Sequence, residues 1–160
     1  MAKENSKALE PSVCPIVRSI EEIGDKWTLM IIRESFFGVS RFDEFQQGLN
    51  ISKSVLTNRL NKLVQAGLLE KQAYQEENSR TRYEYVLTDK GADLQMLLVA
   101  LQNWGNKHLV KEGEETIGLQ EKKGSKEVKL RLLNSKGKKV KTEKLRWKRM
   151  VKGARPVVPD

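Results

Sequence analysis

The chain is poor in the residues from which metal sites and nucleophilic enzymes are built. Its 160 residues contain one cysteine, Cys14, and one histidine, His108. A single thiol excludes an internal disulfide, and one residue of each kind cannot make a Cys/His zinc cluster. A nucleophilic Cys–His pair would also need an orienting group and an oxyanion hole, and no residue pattern supplies either. No glycine-rich phosphate loop is present. The expectation is a protein that is not an enzyme and that holds no metal and no cofactor. Aromatic residues make up 6% of the chain. Trp27 and Trp104 fall on apolar helical faces, where core packing is expected rather than a ligand cage. No apolar run approaches the roughly 18 residues that a membrane helix needs. Residues 1–12 lack the apolar stretch of a secretory signal, so a cytoplasmic location without a membrane partner is expected.

Positive charge is abundant but unevenly placed. The net charge is +9, with 30 Lys+Arg against 21 Asp+Glu. Residues 1–112 carry 15 of each sign, whereas residues 113–160 carry 15 basic and 6 acidic residues. The whole excess therefore belongs to the last 48 residues. A nucleic-acid partner for the first part of the chain must be argued from local charge, because net charge there is zero.

Hydrophobic periodicity divides the chain. Residues 1–12 read as a flexible polar arm. Ile16, Val17, Ile20 and Ile23 recur at helical spacing behind Pro15, a residue suited to the first helical position. Gly24 should end that helix and Asp25 cap the next. There Trp27, Leu29, Met30, Ile31 and Ile32 are apolar nearly all round, as in a helix buried at a domain centre. Further on, Thr88 should cap one long helix from Asp89 to about Val110. Its Leu94, Met96, Leu97, Leu98, Val99, Leu101 and Trp104 cover more than one face. A small domain buries one such face; the other is met either by a second copy of the chain or by residues 113–160. Within that extension, EVKLRLL alternates like a strand, NSKG carries turn chemistry, and KKVKTEKLRW reads as a returning strand. The expected appendage is a basic β-hairpin that either clamps DNA backbone or is a solvated edge. The closing GARPVVPD should trail off.

Between these parts lies a helix, turn, helix and hairpin in chain order. RFDEFQQGL forms a short amphipathic helix, Asn50 and Ile51 a tight turn, and residues 52–67 a second helix. LLEKQAY and TRYEYVLT then read as two strands. This is the layout of a winged helix-turn-helix, in which the second helix enters the major groove and the hairpin rides the backbone beside it. In the second helix Val55, Leu56, Leu60, Leu63, Val64 and Ala66 share a stripe. Lys53, Ser54, Thr57, Asn58, Asn61, Lys62 and Gln65 face away from it, with Arg59 near the boundary. No acidic residue occurs between Glu44 and Glu70. Lys53, Arg59 and Lys62 should anchor phosphates and guanine edges, Ser54, Thr57 and Asn58 should read bases, and Arg80 and Arg82 should hold the flanking backbone. Ser52 is the expected N-cap, with first-turn amides available to a phosphate.

Four blocks carry a family resemblance: CPIVRSIEEIGDKWTLMIIRE, SRFDEFQQGLNISKSVLTNRLNKLVQAGLLEK, YEYVLTDKG and NWGNKH. In this order and spacing, from Cys14 to His108, they resemble the HxlR-type winged helix-turn-helix transcriptional regulators. The resemblance implies a homodimeric repressor or activator joined through its first and last helices. It makes residues 52–63 the recognition helix, places Lys53, Ser54, Thr57, Asn58 and Arg59 toward DNA, and assigns Arg80 or Arg82 to the wing. Two departures stand out. The Pro-Pro pair often found before the YEYxLT-like strand is replaced by EENSRTR, whose Glu76 and Glu77 suit phosphate poorly. The extension also lacks the cysteines of a zinc-ribbon-like tail, so it cannot hold that metal.

Cys14 precedes Pro15 at a helix start, where the free amides and helix dipole favour a thiolate, with Arg18 one turn on. Some relatives with a cysteine here are similar to redox or electrophile sensors; the alternative is a small packing residue. The expected fold class is mainly α with a small β component: a winged helix-turn-helix domain over residues 13–112 plus a short basic β-rich extension, residues 113–160. The expected function is a sequence-specific DNA-binding regulator, dimeric on a pseudo-palindromic operator of double-stranded DNA. The alternatives are a protein–protein interaction module scaffolded on the winged helix and an RNA-binding protein acting through its basic tail.

Overall fold

The computed structural model describes residues 8–9, 14–75, 81–121, 123, 126–145 and 156–157. Four helices come first after a two-residue strand: β1 (Ala8–Leu9), α1 (Pro15–Ile23), α2 (Lys26–Phe36), α3 (Phe42–Leu49) and α4 (Lys53–Gln65). Local chemistry explains each boundary. Pro15 opens α1, since its missing N–H is one the first turn would leave unbonded. The Asp25 carboxylate caps α2 by accepting from the Trp27 and Thr28 amides at 3.0 and 3.3 Å. Glu44 reaches back to accept from the Arg41 amide at 3.1 Å at the start of α3. Asn50, with φ of 48°, makes the left-handed step that ends α3 and sets the angle to α4.

The helices close around one apolar centre. Ile31 and Ile32 of α2, Phe45 of α3, and Leu56, Leu60 and Leu63 of α4 are fully buried, together with Leu68 and Leu69 beyond α4. Strands β2 (Leu69–Tyr74) and β3 (Arg82–Leu87) pair antiparallel, in register from Leu69 opposite Leu87 to Tyr74 opposite Arg82. The segment before α3 is stitched to this hairpin: the Tyr85 amide donates to the Ser40 carbonyl at 2.8 Å, and Arg41 forms a bridge with Glu84.

The single long helix expected after the hairpin is two helices, α5 (Asp89–Ala92) and α6 (Gln95–His108). Thr88 does cap the first, accepting from the Gly91 amide at 3.1 Å, while its own hydroxyl donates to the Gly67 carbonyl at 2.6 Å. Gly91 lies so close to the Leu68 carbonyl that a Cβ would overlap it. The first turn is thus pinned under the start of β2, and the chain redirects at Asp93 and Leu94 before α6 begins.

The extension also differs from the expected hairpin. Its turn is formed: Asn134 Oδ1 accepts from the amides of Lys136 and Lys138 at 3.0 Å each, and Gly137 takes a φ of 70°. Among the described residues its flanks make isolated bridges, Gln120 with Glu127 and Leu133 with Lys139, plus a 3-10 turn at Thr142–Lys144. Leu132 and Leu133 are exposed while Leu130 and Val140 are half-buried, so the alternating run buries little of either face. Ala8–Leu9 pairs antiparallel with β4 (Pro156–Val157); the rest of the expected arm, residues 1–12, and of the closing GARPVVPD lies outside the described residues.

Two glycines test this packing with opposite signs. Gly91→Ala should destabilise the chain by about 1–3 kcal/mol, because the methyl group has no room beside Leu68. Gly48→Ala, exposed in α3 with open space around the added carbon, should stabilise it by up to about 1 kcal/mol. Denaturant melts of both variants measure the two shifts.

Candidate nucleic-acid interface

Burial of Leu56, Leu60 and Leu63 settles which way α4 points its other side chains. Ser52, Lys53, Ser54, Thr57, Asn58, Asn61 and Lys62 are all exposed. Ser52 accepts from the Val55 amide at 3.4 Å as the N-cap. The outward face therefore offers hydroxyls, amides and two lysines, with no carboxylate of its own. Such a face can donate to phosphate and can both donate to and accept from base edges.

Val55 does not stay in the buried stripe where periodicity placed it. At 36% exposure it stands beside Ser54 on the outer side of the first turn, the position from which an apolar side chain meets a thymine methyl group. Its neighbours in sequence gave no sign of this.

Arg59 has a partner that the sequence did not reveal. Sequence alone shows no acid near it, but the fold brings Asp25 of the α2 cap to 3.1 Å from its Nη1. Arg59 is half-buried, and its charge is met within the chain. The Asp25 carboxylate also accepts from the Thr28 hydroxyl and is held in place by two backbone amides. Partial burial by itself would raise the Asp25 pKa. The Thr28 hydrogen bonds, the Arg59 charge and the Trp27 amide more than offset that and hold it below the ordinary 3.8. Arg59 thus ties the reading helix to the helix beneath it.

At the hairpin, Arg82 is exposed at the outer end of β3, opposite Tyr74. Arg80, Glu76 and Glu77 lie outside the described residues. The Arg41 guanidinium sits 4.6 Å above the Tyr74 ring, and the Lys71 ammonium 4.0 Å above Tyr83. Arg41, Tyr74, Arg82 and Tyr83 line one concavity that also contains Asp43 and Glu44. The root of the wing is consequently mixed in charge, and Arg41 joins Arg82 there as a basic residue that helix periodicity did not single out.

Away from this face, α1 and α6 flank a groove lined by Ile16, Ile20, Leu94, Leu97 and Leu101. Ile20 is 62% exposed and Trp104 57%. Among the described residues, none of the extension lines this seam. Residues 116–119 lie along another side of α6, beside Val99, Gln102 and Asn106, where Gln102 donates to the Ile117 carbonyl. Cys14 is half-buried as the N-cap residue of α1.

Residues 22–113 match the model of the HxlR-like helix-turn-helix family. The chain belongs to that family. The HxlR-like chain is 41% identical over 92 residues to the HTH-type transcriptional regulator Rv3095 of Mycobacterium tuberculosis, a match covering 58% of this chain and 57% of the relative. It thus spans little more than half of that relative's length. Among solved structures, PA1607, described as a candidate transcription factor, is 35% identical and superposes over 86% of this chain and 96% of its own with a TM-score of 0.74. More distantly, the redox regulator HypR in its oxidized form is 27% identical over 59% of this chain and 96% of its own, with a TM-score of 0.53. The fold and the family are those of winged-helix transcription factors.

The Asp25 latch carries a pH signature. A depressed folded pKa means that its stabilisation is fully present above 3.8, the ordinary value, and is lost as pH falls through the folded one. Asp25→Asn should lower the melting temperature at neutral pH, and the difference from the parent chain should shrink as the pH falls below 3.8. A gap that stays constant down to about pH 2 would assign the loss to packing instead of charge.

Proposed function

We propose that this chain is a DNA-binding transcriptional regulator that acts as a homodimer on a pseudo-palindromic operator. The observation that carries the reading is the exposed, acid-free face of α4, held outward by its buried leucine edge and followed by a hairpin. In this reading Ser54, Thr57 and Asn58 contact base edges, with Val55 against a methyl group. Lys53 and Lys62 hold phosphates, and the first-turn amides behind Ser52 receive another. Arg82 and Arg80 hold the backbone beside the wing. Arg59 contributes mainly by fixing the angle of α4, since Asp25 already engages its charge.

The apolar seam of α1 and α6 supports the dimer, joined through the first and last helices. Large exposed side chains running along two adjacent helices form the kind of surface that a two-fold contact buries. A dimer also doubles a reading surface that one electrically balanced domain presents weakly. Cys14 lies at one end of this seam, on α1. It is the residue through which an oxidant or electrophile would act, either by removing two electrons to join two Cys14 thiols across the dimer or by forming a thioether adduct. The named role of HypR as a redox regulator supports testing that route.

Selection of bound fragments from genomic DNA tests the reading directly. Sequence-selective duplex binding supports it, tail-dependent RNA binding favours an RNA-binding protein, and an absence of nucleic-acid binding favours a protein-interaction module. Within a selected site, Asn58→Ala should relax preference at one base position by about 1–3 kcal/mol. Equal weakening on every sequence would remove Asn58 from direct readout. Ile20→Glu should give a monomer in light scattering and lower operator affinity by roughly 100-fold or more; a dimer that persists would place the interface elsewhere.

A further inference from the structure

A second concavity lies on the other side of Leu101 from the α1–α6 seam, where the family domain meets the extension. It is a groove of about 600 Å³ between the end of α2, the middle of α6 and residues 116–120. Its walls are largely apolar: Phe36 and Phe37 on one side, Leu98 and Leu101 below, and Ile117 and Leu119 from the extension. This volume is within the range of sites that enclose small organic molecules. Thr116, Ile117, Gly118, Leu119 and Gln120 lie beyond the last family-matched residue, 113, so the extension completes a site that the family domain leaves half built.

Two features indicate what the groove would hold. The first is Gly105, which lines it from the middle of α6; an added Cβ there meets no atom within 4 Å. Glycine inside a helix costs roughly 1 kcal/mol relative to alanine, and nothing among the described residues requires it, so its effect is to keep the groove deep. The second is charge. No acidic residue lines the groove, while Arg33 stands at its α2 end and Gln102 and Asn106 place amides along α6. Arg33 directs Nε and Nη2 to Glu34, and its Nη1 has no partner among the described residues. A guanidinium with one edge engaged can still donate to a carboxylate or sulfonate from the other.

We propose that this groove is a binding site for a small apolar molecule carrying one negative charge, such as an aromatic or aliphatic carboxylate. Because Leu101 belongs both to this groove and to the α1–α6 seam, a bound ligand would press on the proposed dimer contact and shift the spacing of the two α4 helices. Occupancy of the groove stands on its own; only its effect on DNA rests on the regulator reading above.

The test uses the full chain and two probes. Anilinonaphthalene sulfonate should bind saturably at one site per chain, with decanoate displacing it and uncharged decanol displacing it at least about tenfold less well. Gly105→Phe fills the groove from a position with open space and should weaken probe binding about tenfold or more, with helicity and oligomeric state unchanged. Arg33→Gln should remove the preference for decanoate over decanol; if Gly105→Phe does not fold, this variant decides the matter alone. Probe binding unaffected by both substitutions overturns the site. So does probe binding that is lost in Ile20→Glu but retained in Gly105→Phe, because the ligand surface would then be the α1–α6 seam. A change of oligomeric state in Gly105→Phe would assign the groove to a second copy and also overturn it. Operator affinity measured with and without decanoate then separates the two readings. Ligand binding without any DNA binding would sink the regulator reading alone, and operator binding without ligand binding would sink the groove alone.

Discussion

The packing of one edge of α4 against Ile31, Ile32 and Phe45 is the contact on which the rest of the structure depends. Leu56, Leu60 and Leu63 each leave water completely or nearly so, and each buried leucine contributes about 1.5–3 kcal/mol toward holding the helix in place. The same contact turns Lys53, Ser54, Thr57 and Asn58 outward as a set. Core and reading surface are two sides of one thirteen-residue helix, so a change that loosens the leucine edge also misaims the polar face.

Electrostatics then refine what packing has placed. Asp25 ends one helix boundary and anchors another helix at the same time: one oxygen caps α2, and the other meets Arg59. Its low pKa records how fully that carboxylate is partnered. A buried charge left alone would be costly, and a charge that both caps and latches avoids that cost while fixing the angle between α2 and α4. The basic residue in the middle of α4 is therefore engaged within the fold, while the lysines and the short polar side chains of its outer face stand exposed.

The chain has two apolar concavities on either side of Leu101, and they differ in chemistry. The seam between α1 and α6 is lined almost wholly by aliphatic side chains and is open along both helices, as suits a second helix pair. The groove beneath the extension has amides, one arginine and a glycine that keeps it deep, as suits a small molecule with a polar end. One side chain, Leu101, lines both, so in the proposed dimer a molecule held in the groove would sit one residue away from the contact between the two copies.

Sequence by itself determined the helix order, the caps at Asp25, Ser52 and Thr88, the hairpin and the polar face of α4. All of these follow from periodicity and from side-chain chemistry acting within a few residues. The split between α5 and α6 was not legible, because it comes from a backbone contact between Gly91 and Leu68, more than twenty positions apart. Nor was the engagement of Arg59, since Asp25 is 34 positions away in sequence and a charge count sees no partner. The alternation in the extension looked like a strand, yet among the described residues it makes isolated bridges and leaves Leu132 and Leu133 exposed. Only the tertiary structure decided which apolar faces stay uncovered, because local pattern records that a residue is apolar but not what will be packed against it.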